Sequence, residues 1–499
     1  MKRNFSRRLF LAGLGSVCGS AVMANAPARS LRPVARPSAV RSGATRSATS
    51  AEALIAQANL GGEVGFSVID PQTGRVLEER QGGASLPPAS IAKSITALYA
   101  LAHLGAGYRF TTRLLAGGPV SNGVLQGDLI LAGAGDPTLD TDALAGLAAA
   151  LKARGIREVR GRLRSFGGAL PFVRVVDSDQ PDHVAYNPSI SGLNLNFNRV
   201  HFEWKRSGSG YTTTMDARSG RYRPEVRVAR MTVADRSMPV YTYQDAGSHD
   251  AWSVARGQLG NGGSRWLPVR KPEAYAAEVF ATFARSQGIV LEHGEPVRSG
   301  LSGAELASHS SVQLVEILRD MLRYSNNMTA EAVGMTASLR RGGRISSLED
   351  SARAMTAWAR QSLNMAGARF VDHSGLGERA RVSPTAMARA MAVVHRENAL
   401  QPILRPFAMR DANGNVQQSH PITVTAKTGT LYFVSTLAGY MRERNGRDLA
   451  FAIFTADTAR RARFDSRLGV RPEGASAWNR RSRNLQQQLI ERWGQLYQT

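Results

Sequence analysis

Sequence patterns typical of β-strands occur near both ends of the globular part of the chain. Near its start, the alternating segments Glu63–Ile69 and Arg75–Glu79 flank an Asp-Pro-Gln-Thr-Gly turn, which is typical of a β-hairpin. Near its end, apolar runs at Ile422–Thr425, Leu431–Met441 and Asp448–Thr455 predict further strands. Strands from the two ends of a domain can pair in one sheet. We therefore expect an antiparallel sheet that combines the hairpin with the last strands.

The sequence between these strands is of two kinds. Helical patterns cover Pro272–Gln287, Val312–Tyr324, Thr329–Arg340, Ser347–Leu363 and Ser383–Arg396, and Trp478–Tyr497 closes the chain. Residues 111–280 instead carry mainly short alternating segments separated by Gly, Pro and Asn turns. We therefore predict an α/β fold in which residues 51–110 and 281–499 form one domain, an antiparallel sheet flanked by helices. A large, mostly β insert at 111–280, with two nested domains, interrupts it.

Composition excludes several classes of protein. The chain has 499 residues, of which 43% are hydrophobic and 20% charged, and this is enough for two or three globular domains. Its formal net charge of +24 suits peripheral contact with an anionic membrane or wall polymer, but no basic-aromatic groove motif indicates a nucleic-acid partner. A single cysteine, Cys18, allows no intrachain disulfide, and the nine histidines lack metal-ligand spacing. We predict no metal and no cofactor.

The N-terminal residues have the pattern of an export signal. Residues 1–26 combine a basic start, a short apolar run and a small-x-small end, which fits cleavage after Ala24 or Ala26. The run Ser-Arg-Arg-Leu-Phe-Leu at residues 6–11 resembles a twin-arginine signal. Residues 27–50, rich in Ala, Arg, Ser and Pro, predict a disordered basic linker or a tether to an anionic surface. An exported, periplasmic protein is expected.

The first chemical signal is the pair Ser90 and Lys93 at the start of an apolar helical pattern. One helical turn places the two side chains side by side, so an amine lies within reach of a hydroxyl. The alternative is a helix cap followed by a solvated lysine. Lysine occurs at only six positions in this arginine-rich chain, and lysine can lose its proton on burial whereas arginine effectively cannot.

Two further short motifs follow in the chain. Ser325–Asn327 lies at the predicted junction of two helices, where serine and asparagine are common helix caps. Lys427–Gly429, a Lys-Thr-Gly tripeptide, lies at the end of an apolar strand, where it could form a simple turn.

In this order, Ser-x-x-Lys, Ser-x-Asn and Lys-Thr-Gly match the signature of active-site serine penicillin-interacting enzymes. The chain resembles the class C penicillin-binding proteins, the D-alanyl-D-alanine carboxypeptidase/endopeptidase family. The resemblance extends to Gly133–Asp140, Tyr186–Pro188, Ser325–Glu331 and Asp372–Gly377. It implies the penicillin-binding/β-lactamase-like transpeptidase fold, with the extra domains that this family inserts between its first two motifs.

The resemblance also implies a role for each motif residue. Ser90 is the expected nucleophile, Lys93 the base that accepts its proton, and Ser325 the relay towards the leaving amine. The expected substrate-binding residues are Asn327, Lys427, Thr428, Gly429 and Thr430. The backbone N–H groups of Ser90 and Thr430 would stabilise the tetrahedral intermediate. Lys427 would be a cation close to Lys93.

The function implied is a serine DD-peptidase that cleaves peptidoglycan stem peptides or cross-links through an acyl-Ser90 intermediate and is acylated by β-lactams. A β-lactamase and a non-catalytic wall-binding protein are the alternatives. Tyr324 could instead be the proton relay of a Tyr-x-Asn motif, although the Ala-Glu that follows favours the Ser-Asn-Asn register. His373 beside Ser374 suggests a Ser–His pair, but no Gly-x-Ser-x-Gly elbow accompanies it.

Overall fold

The computed structural model describes residues 48–497, except residues 412, 413, 444, 466, 468 and 470. The predicted export signal at 1–26 and residues 27–47 of the predicted linker lie outside the described residues. In the part that is described, we find no helix with the length and apolar character needed to cross a membrane.

The helices and strands of the described chain have the following bounds. The α-helices are α1 Ala51–Ala58, α2 Ala92–Leu104, α3 Thr141–Ala153, α4 Pro272–Ser286, α5 Leu314–Tyr324, α6 Asn327–Arg340, α7 Leu348–Ser362, α8 Pro384–His395, α9 Thr458–Ala462 and α10 Ala475–Leu496. The strands are β1 Glu63–Ile69, β2 Val76–Arg80, β3 Thr111–Ala116, β4 Val120–Ser121, β5 Val124–Leu125, β6 Leu129–Ala132, β7 Glu158–Phe166, β8 Arg199–Ser207, β9 Gly210–Asp216, β10 Ala229–Ala234, β11 Tyr241–Asp245, β12 Asp250–Ala255, β13 Gly262–Pro268, β14 Val290–His293, β15 Ala304–Ser310, β16 Arg405–Pro406, β17 Thr423–Leu431, β18 Val434–Arg442 and β19 Asp448–Ala456.

One sheet combines strands from the two ends of the described chain. Its six strands run in the order β16-β17-β18-β19-β1-β2, and neighbouring strands are antiparallel. The early strand β1 lies beside β19, with Phe66 opposite Ile453. The prediction that the first hairpin and the last strands share an antiparallel sheet is therefore confirmed.

Helices cover both faces of this sheet. On one face, α1 and α10 pack on the strands, and Trp478 and Trp493 are buried in the core between them. On the other face, α2 and α8 form a second core that includes Tyr99 and Tyr440. Burial of a large apolar side chain contributes about 1.5–3 kcal/mol. Because both faces are covered, β18 and β19 are buried almost throughout instead of only at alternate residues.

The segment between α2 and α5 forms the insert. Among its described residues, a seven-stranded sheet follows the path β15-β3-β6-β7-β5-β4, with β14 paired to β7. Two three-stranded sheets, β13-β8-β9 and β10-β12-β11, are separate from it. The chain leaves the larger sheet after β7 and rejoins it at β14, so the smaller sheets are nested within the larger one in sequence.

The insert continues beyond the predicted boundary at residue 280. That boundary falls inside α4, whose buried Tyr275 and Phe280 belong to the insert's hydrophobic core. Strands β14 and β15 then complete the insert's larger sheet, which ends at Ser310. An amphipathic pattern predicts that a helix has a buried face but does not say which domain covers it. The structure therefore moves the boundary to the residues after Ser310.

Candidate active site

Ser90 lies in a single 3-10 turn, Ala89–Ile91, that leads directly into α2. Its side chain caps no backbone N–H of the helix, so the helix-cap interpretation is wrong. Ala89 before it has a φ of 48°, in the left-handed region that costs a non-glycine residue free energy. The sheet anchors this turn, because the Thr436 hydroxyl on β18 donates a 2.8 Å hydrogen bond to the Pro88 carbonyl.

Lys93 is fully buried on the first turn of α2, which excludes a solvated lysine. Its Nζ donates to Ser90 Oγ at 3.1 Å, to Asn327 Oδ1 at 2.7 Å and to the Ser374 carbonyl at 2.8 Å. Burial lowers the pKa of Lys93 to about 8, although the carboxylates of Glu331 and Asp372 act in the opposite direction. Ser90 therefore faces an amine that can be neutral near physiological pH.

Ser325 ends α5 in the left-handed conformation, with a φ of 57°. This turn presents its hydroxyl to Lys427, whose Nζ donates to Ser325 Oγ at 3.0 Å and to the Thr428 carbonyl at 2.7 Å. Burial, and then the charges of Lys93 and Arg405, hold the pKa of Lys427 well below its usual range. The structure thus pairs the second serine with the second lysine.

The neighbouring Tyr324 points away from this pairing. Its side chain is among the exposed large hydrophobic ones, at 68%, and Arg323 stacks over its ring. Asn326 caps α6 by accepting a hydrogen bond from the Thr329 N–H. The geometry therefore favours the register in which Ser325, not Tyr324, faces the cleft.

Asn327, the first residue of α6, links the lysine to the insert. Its Oδ1 accepts the bond from Lys93, and its Nδ2 donates to the Tyr186 carbonyl at 2.8 Å. An asparagine carries one acceptor and one donor group on the same amide, so both ends are used here. The segment around Tyr186 carries the resemblance in sequence, but only the structure assigns it this contact.

The last three predicted residues lie on β17 at the edge of the cleft. Thr428 and Thr430 are exposed on one face, whereas Gly429 is buried between them. A Cβ added to Gly429 would lie 2.9 Å from the Pro88 carbonyl and would overlap the Thr436 hydroxyl. Glycine is required because β17 passes so close to the turn that carries Ser90.

A cavity of about 470 Å³ opens above these groups. Of the predicted residues, it is lined by Ser90, Ser325, Asn327 and Thr430. The insert contributes Tyr186, and the C-terminal part of the chain contributes Arg461, Arg471 and Arg483. The sequence provides no signal for these arginines, because arginine is common throughout the chain.

Two buried carboxylates also surround the site, and sequence reasoning assigned them no role. Glu331 accepts hydrogen bonds from the backbone N–H groups of His373, at 2.8 Å, and Ser374, at 3.0 Å. Asp372 accepts from those of Gly375 and Gly377, both at 2.6 Å. Burial raises the pKa of Glu331 to about 8 and also raises that of Asp372. We call the loop Asp372–Gly377 the clamp loop.

His373 does not form a catalytic pair. Its Nε2 lies 2.7 Å from Ser351 Oγ, and both residues are buried away from the cavity. The adjacent Ser374 instead accepts a hydrogen bond from the Leu376 N–H through its Oγ. Burial lowers the pKa of His373 to about 3, so the ring stays neutral inside the core. The Ser–His alternative is therefore wrong.

The fold is that of a penicillin-binding protein. The crystal structure of penicillin binding protein 4 from Haemophilus influenzae matches with a TM-score of 0.71 at 22% identity, covering 88% of this chain and 99% of that one. The same protein complexed with a β-lactam matches with a TM-score of 0.70 at 22% identity and the same coverage.

Sequence comparison defines the family more closely. The model of the D-Ala-D-Ala carboxypeptidase 3 (S13) family matches residues 48–469, and the chain belongs to this family. A D-alanyl-D-alanine carboxypeptidase of an Actinomadura species is 30% identical over 422 residues, which cover 78% of this chain and 77% of that protein. D-alanyl-D-alanine carboxypeptidase DacB of Haemophilus influenzae is 26% identical over 420 residues, with 79% and 85% covered. The predicted enzyme class, a serine-type D-Ala-D-Ala carboxypeptidase, is confirmed.

Proposed function

We propose that the protein cleaves the D-Ala-D-Ala end of peptidoglycan stem peptides, or the related amide of a cross-link, through an acyl-Ser90 intermediate. One observation carries this proposal: the Nζ of a fully buried lysine, Lys93, lies 3.1 Å from Ser90 Oγ on the floor of the cleft. A serine hydroxyl attacks an amide only when a base takes its proton, and a desolvated lysine with a lowered pKa is such a base.

Acylation then proceeds as a balanced exchange. Neutral Lys93 accepts the proton of Ser90, and Oγ forms a bond to the carbonyl carbon of the penultimate D-Ala. The bond from that carbon to the leaving nitrogen breaks, and the nitrogen receives, through the Ser325 hydroxyl, the proton that Lys93 took from Ser90, so Lys93 is neutral again. Water later hydrolyses the acyl-enzyme and regenerates Ser90. The 3.0 Å contact between Ser325 and Lys427 supports a relay on this side of the cleft.

The strand edge supports a binding role for the Lys-Thr-Gly motif. Among the described residues, β16 covers β17 only at Thr425 and Ala426, so the edge at Thr428 and Thr430 has no strand beside it. A peptide can add to such an edge through main-chain hydrogen bonds. We assign the N–H groups of Ser90 and Thr430 to the developing oxyanion. The terminal carboxylate would meet Lys427 with the two threonine hydroxyls.

Export belongs to the same proposal. The substrate polymer lies outside the cytoplasm, and residues 1–26 carry the twin-arginine-like pattern that would deliver a folded enzyme to the periplasm. The β-lactam complex of the Haemophilus influenzae relative supports the proposal that β-lactams acylate this protein too.

The deciding experiment measures intact mass after incubation with a labelled penicillin. We expect the wild-type protein to gain one penicillin and Ser90→Ala to gain none. Ser476→Ala is the matched control, because Ser476 lines the same cavity and should leave the adduct unchanged. Release of D-Ala from a D-Ala-D-Ala peptide should follow the same pattern. A wild-type protein without an adduct, or an adduct that persists in Ser90→Ala, contradicts the proposal.

A further inference from the structure

The clamp loop touches Lys93 and the turn that carries Ser90. Its Ser374 carbonyl accepts the 2.8 Å hydrogen bond from Lys93 Nζ. Its Gly375, with a φ of 76°, packs so tightly on the Ala89 carbonyl that a Cβ there would overlap it. A shift of this loop would therefore displace the lysine and the turn of Ser90 together.

Two carboxylates hold this loop from inside the protein. Glu331 on α6 spans the two N–H groups of His373 and Ser374, and Asp372 spans those of Gly375 and Gly377. Glu331 is fully buried and Asp372 is 2% exposed. A buried carboxylate is costly without compensation, and four backbone donors together with the charge of Lys93 provide it.

The charges that face Lys93 come from three elements. Glu331 faces it from α6 and Asp372 from the clamp loop, and both raise its pKa. Lys427 on β17 is the facing cation, and its own pKa is lowered by burial and then by the charge of Lys93. His373 is turned to Ser351 and contributes no charge.

We propose that Glu331 and Asp372 are positioning residues that hold the clamp loop against Lys93 and supply the negative charge that its protonated form needs during acylation. The proposal rests on the proposed role of Lys93 as the base. When Lys93 takes the Ser90 proton, a cation forms where water is excluded. Burial raises the pKa of Glu331 to about 8, so this charge is present where Glu331 is ionised, and fixed carboxylates that need no reorganisation then stabilise the cation as it develops.

The test distinguishes the effect of the charge of Glu331 from the effect of its side-chain length. Glu331→Gln keeps the length but removes the charge, whereas Glu331→Asp keeps the charge but shortens the side chain. The measurement is the rate of penicillin acylation as a function of pH. Without the carboxylate the charged form of Lys93 loses stabilisation, so we expect the midpoint of the Glu331→Gln profile to move down by about one pH unit. The plateau rate should fall about tenfold.

Glu331→Asp should lower the rate but keep the wild-type midpoint. Asp372→Asn should shift the midpoint in the same direction as Glu331→Gln, and this second variant serves if Glu331→Gln does not fold. Glu443→Gln is the matched control, because Glu443 is 3% exposed and follows the far end of β18.

An unchanged midpoint in both charge-removing variants overturns the positioning role and leaves the acyl-Ser90 proposal intact. A shift of equal size in Glu443→Gln also overturns it. A wild-type protein that forms no penicillin adduct contradicts the proposed function instead, so the two failures are distinguishable.

Discussion

Two buried lysines face the same cleft, yet their surroundings carry opposite charge. Lys93 lies near the carboxylates of Glu331 and Asp372, which partly offset the effect of burial, so that its pKa falls only to about 8. Lys427 has Lys93 and Arg405 as its charged neighbours, and both add to the effect of burial. Among the described residues, one lysine therefore has its counter-charge built into the fold, and the other does not.

This difference in charge indicates that the two lysines have different roles. A buried cation without a counter-charge is costly, and an arriving carboxylate would relieve that cost at Lys427. Lys93 already has two carboxylates, so a ligand changes its environment less. The surroundings thus suit Lys93 to proton transfer and Lys427 to carboxylate binding, although both side chains are buried.

The largest effect is expected from Lys93→Met. Removal of the proposed base should slow penicillin acylation about 10³-fold, measured by intact mass over time. Thermal unfolding of the variant checks that it is folded. Lys271→Met, which changes a lysine of the insert, should acylate at the wild-type rate. A loss of less than tenfold in Lys93→Met would mean that another group accepts the proton.

Lys427→Met tests the proposed role of the second lysine. A charge-assisted hydrogen bond to a carboxylate is worth about 1.5–3 kcal/mol, so kcat/KM for a D-Ala-D-Ala peptide should fall about 10–100-fold. A peptide with an amidated C-terminus should lose less, because it lacks the carboxylate that Lys427 is proposed to bind. Equal losses for the two peptides would contradict the carboxylate-binding role.

Gly429→Ala tests the close approach of β17 to the turn that carries Ser90. The new methyl group would press on the Pro88 carbonyl and on Thr436, which should lower the free energy of unfolding by about 1–3 kcal/mol and slow acylation. Gly210→Ala on β9 meets nothing closer than 3.8 Å and should be nearly neutral. Chemical denaturation of the two variants, beside penicillin acylation, makes the comparison. Equal stabilities would show that the close approach is not needed.

The pH dependence of wild-type acylation has a defined sign. The pKa of Lys93 is lowered to about 8, so below that pH most of the lysine is protonated and cannot accept a proton. The acylation rate should therefore rise with pH, by about tenfold per unit well below the midpoint, and level off above it. Stopped-flow acylation by a chromogenic β-lactam measures the profile. A rate that falls as pH rises from 6 to 8 would exclude a lysine base.

The smallest effect is expected at Lys271, a half-buried lysine of the insert. Lys271 pairs with Asp245 at 2.7 Å, but the Asp245 side chain is 57% exposed. Because water screens such pairs, Lys271→Ala should change the free energy of unfolding by less than about 1 kcal/mol and leave acylation unchanged. Thermal melts and the penicillin adduct measure both. A larger loss would mean that a lysine in the insert matters as much as one in the cleft.

The fold and the predicted site residues follow from different kinds of signal in the sequence. An alternating hairpin and continuous apolar runs predict five strands of the six-stranded sheet, whereas the two-residue strand β16 has no such pattern and was not predicted. The insert boundary was wrong because α4 has the same amphipathic pattern whichever sheet it covers. Glu331 and Asp372 received no role because a carboxylate in a sequence is most often a solvated one.

The sequence by itself determined the order of the three motifs, the period of each strand and helix, and hence the family, because these depend on residues close together in the chain. Only the tertiary structure decided which groups meet. Lys93 and Asn327 are 234 residues apart, and Ser325 and Lys427 are 102 apart, yet each pair shares a hydrogen bond. Burial and neighbouring charge set a lysine's proton affinity, and both exist only once distant segments have packed around it.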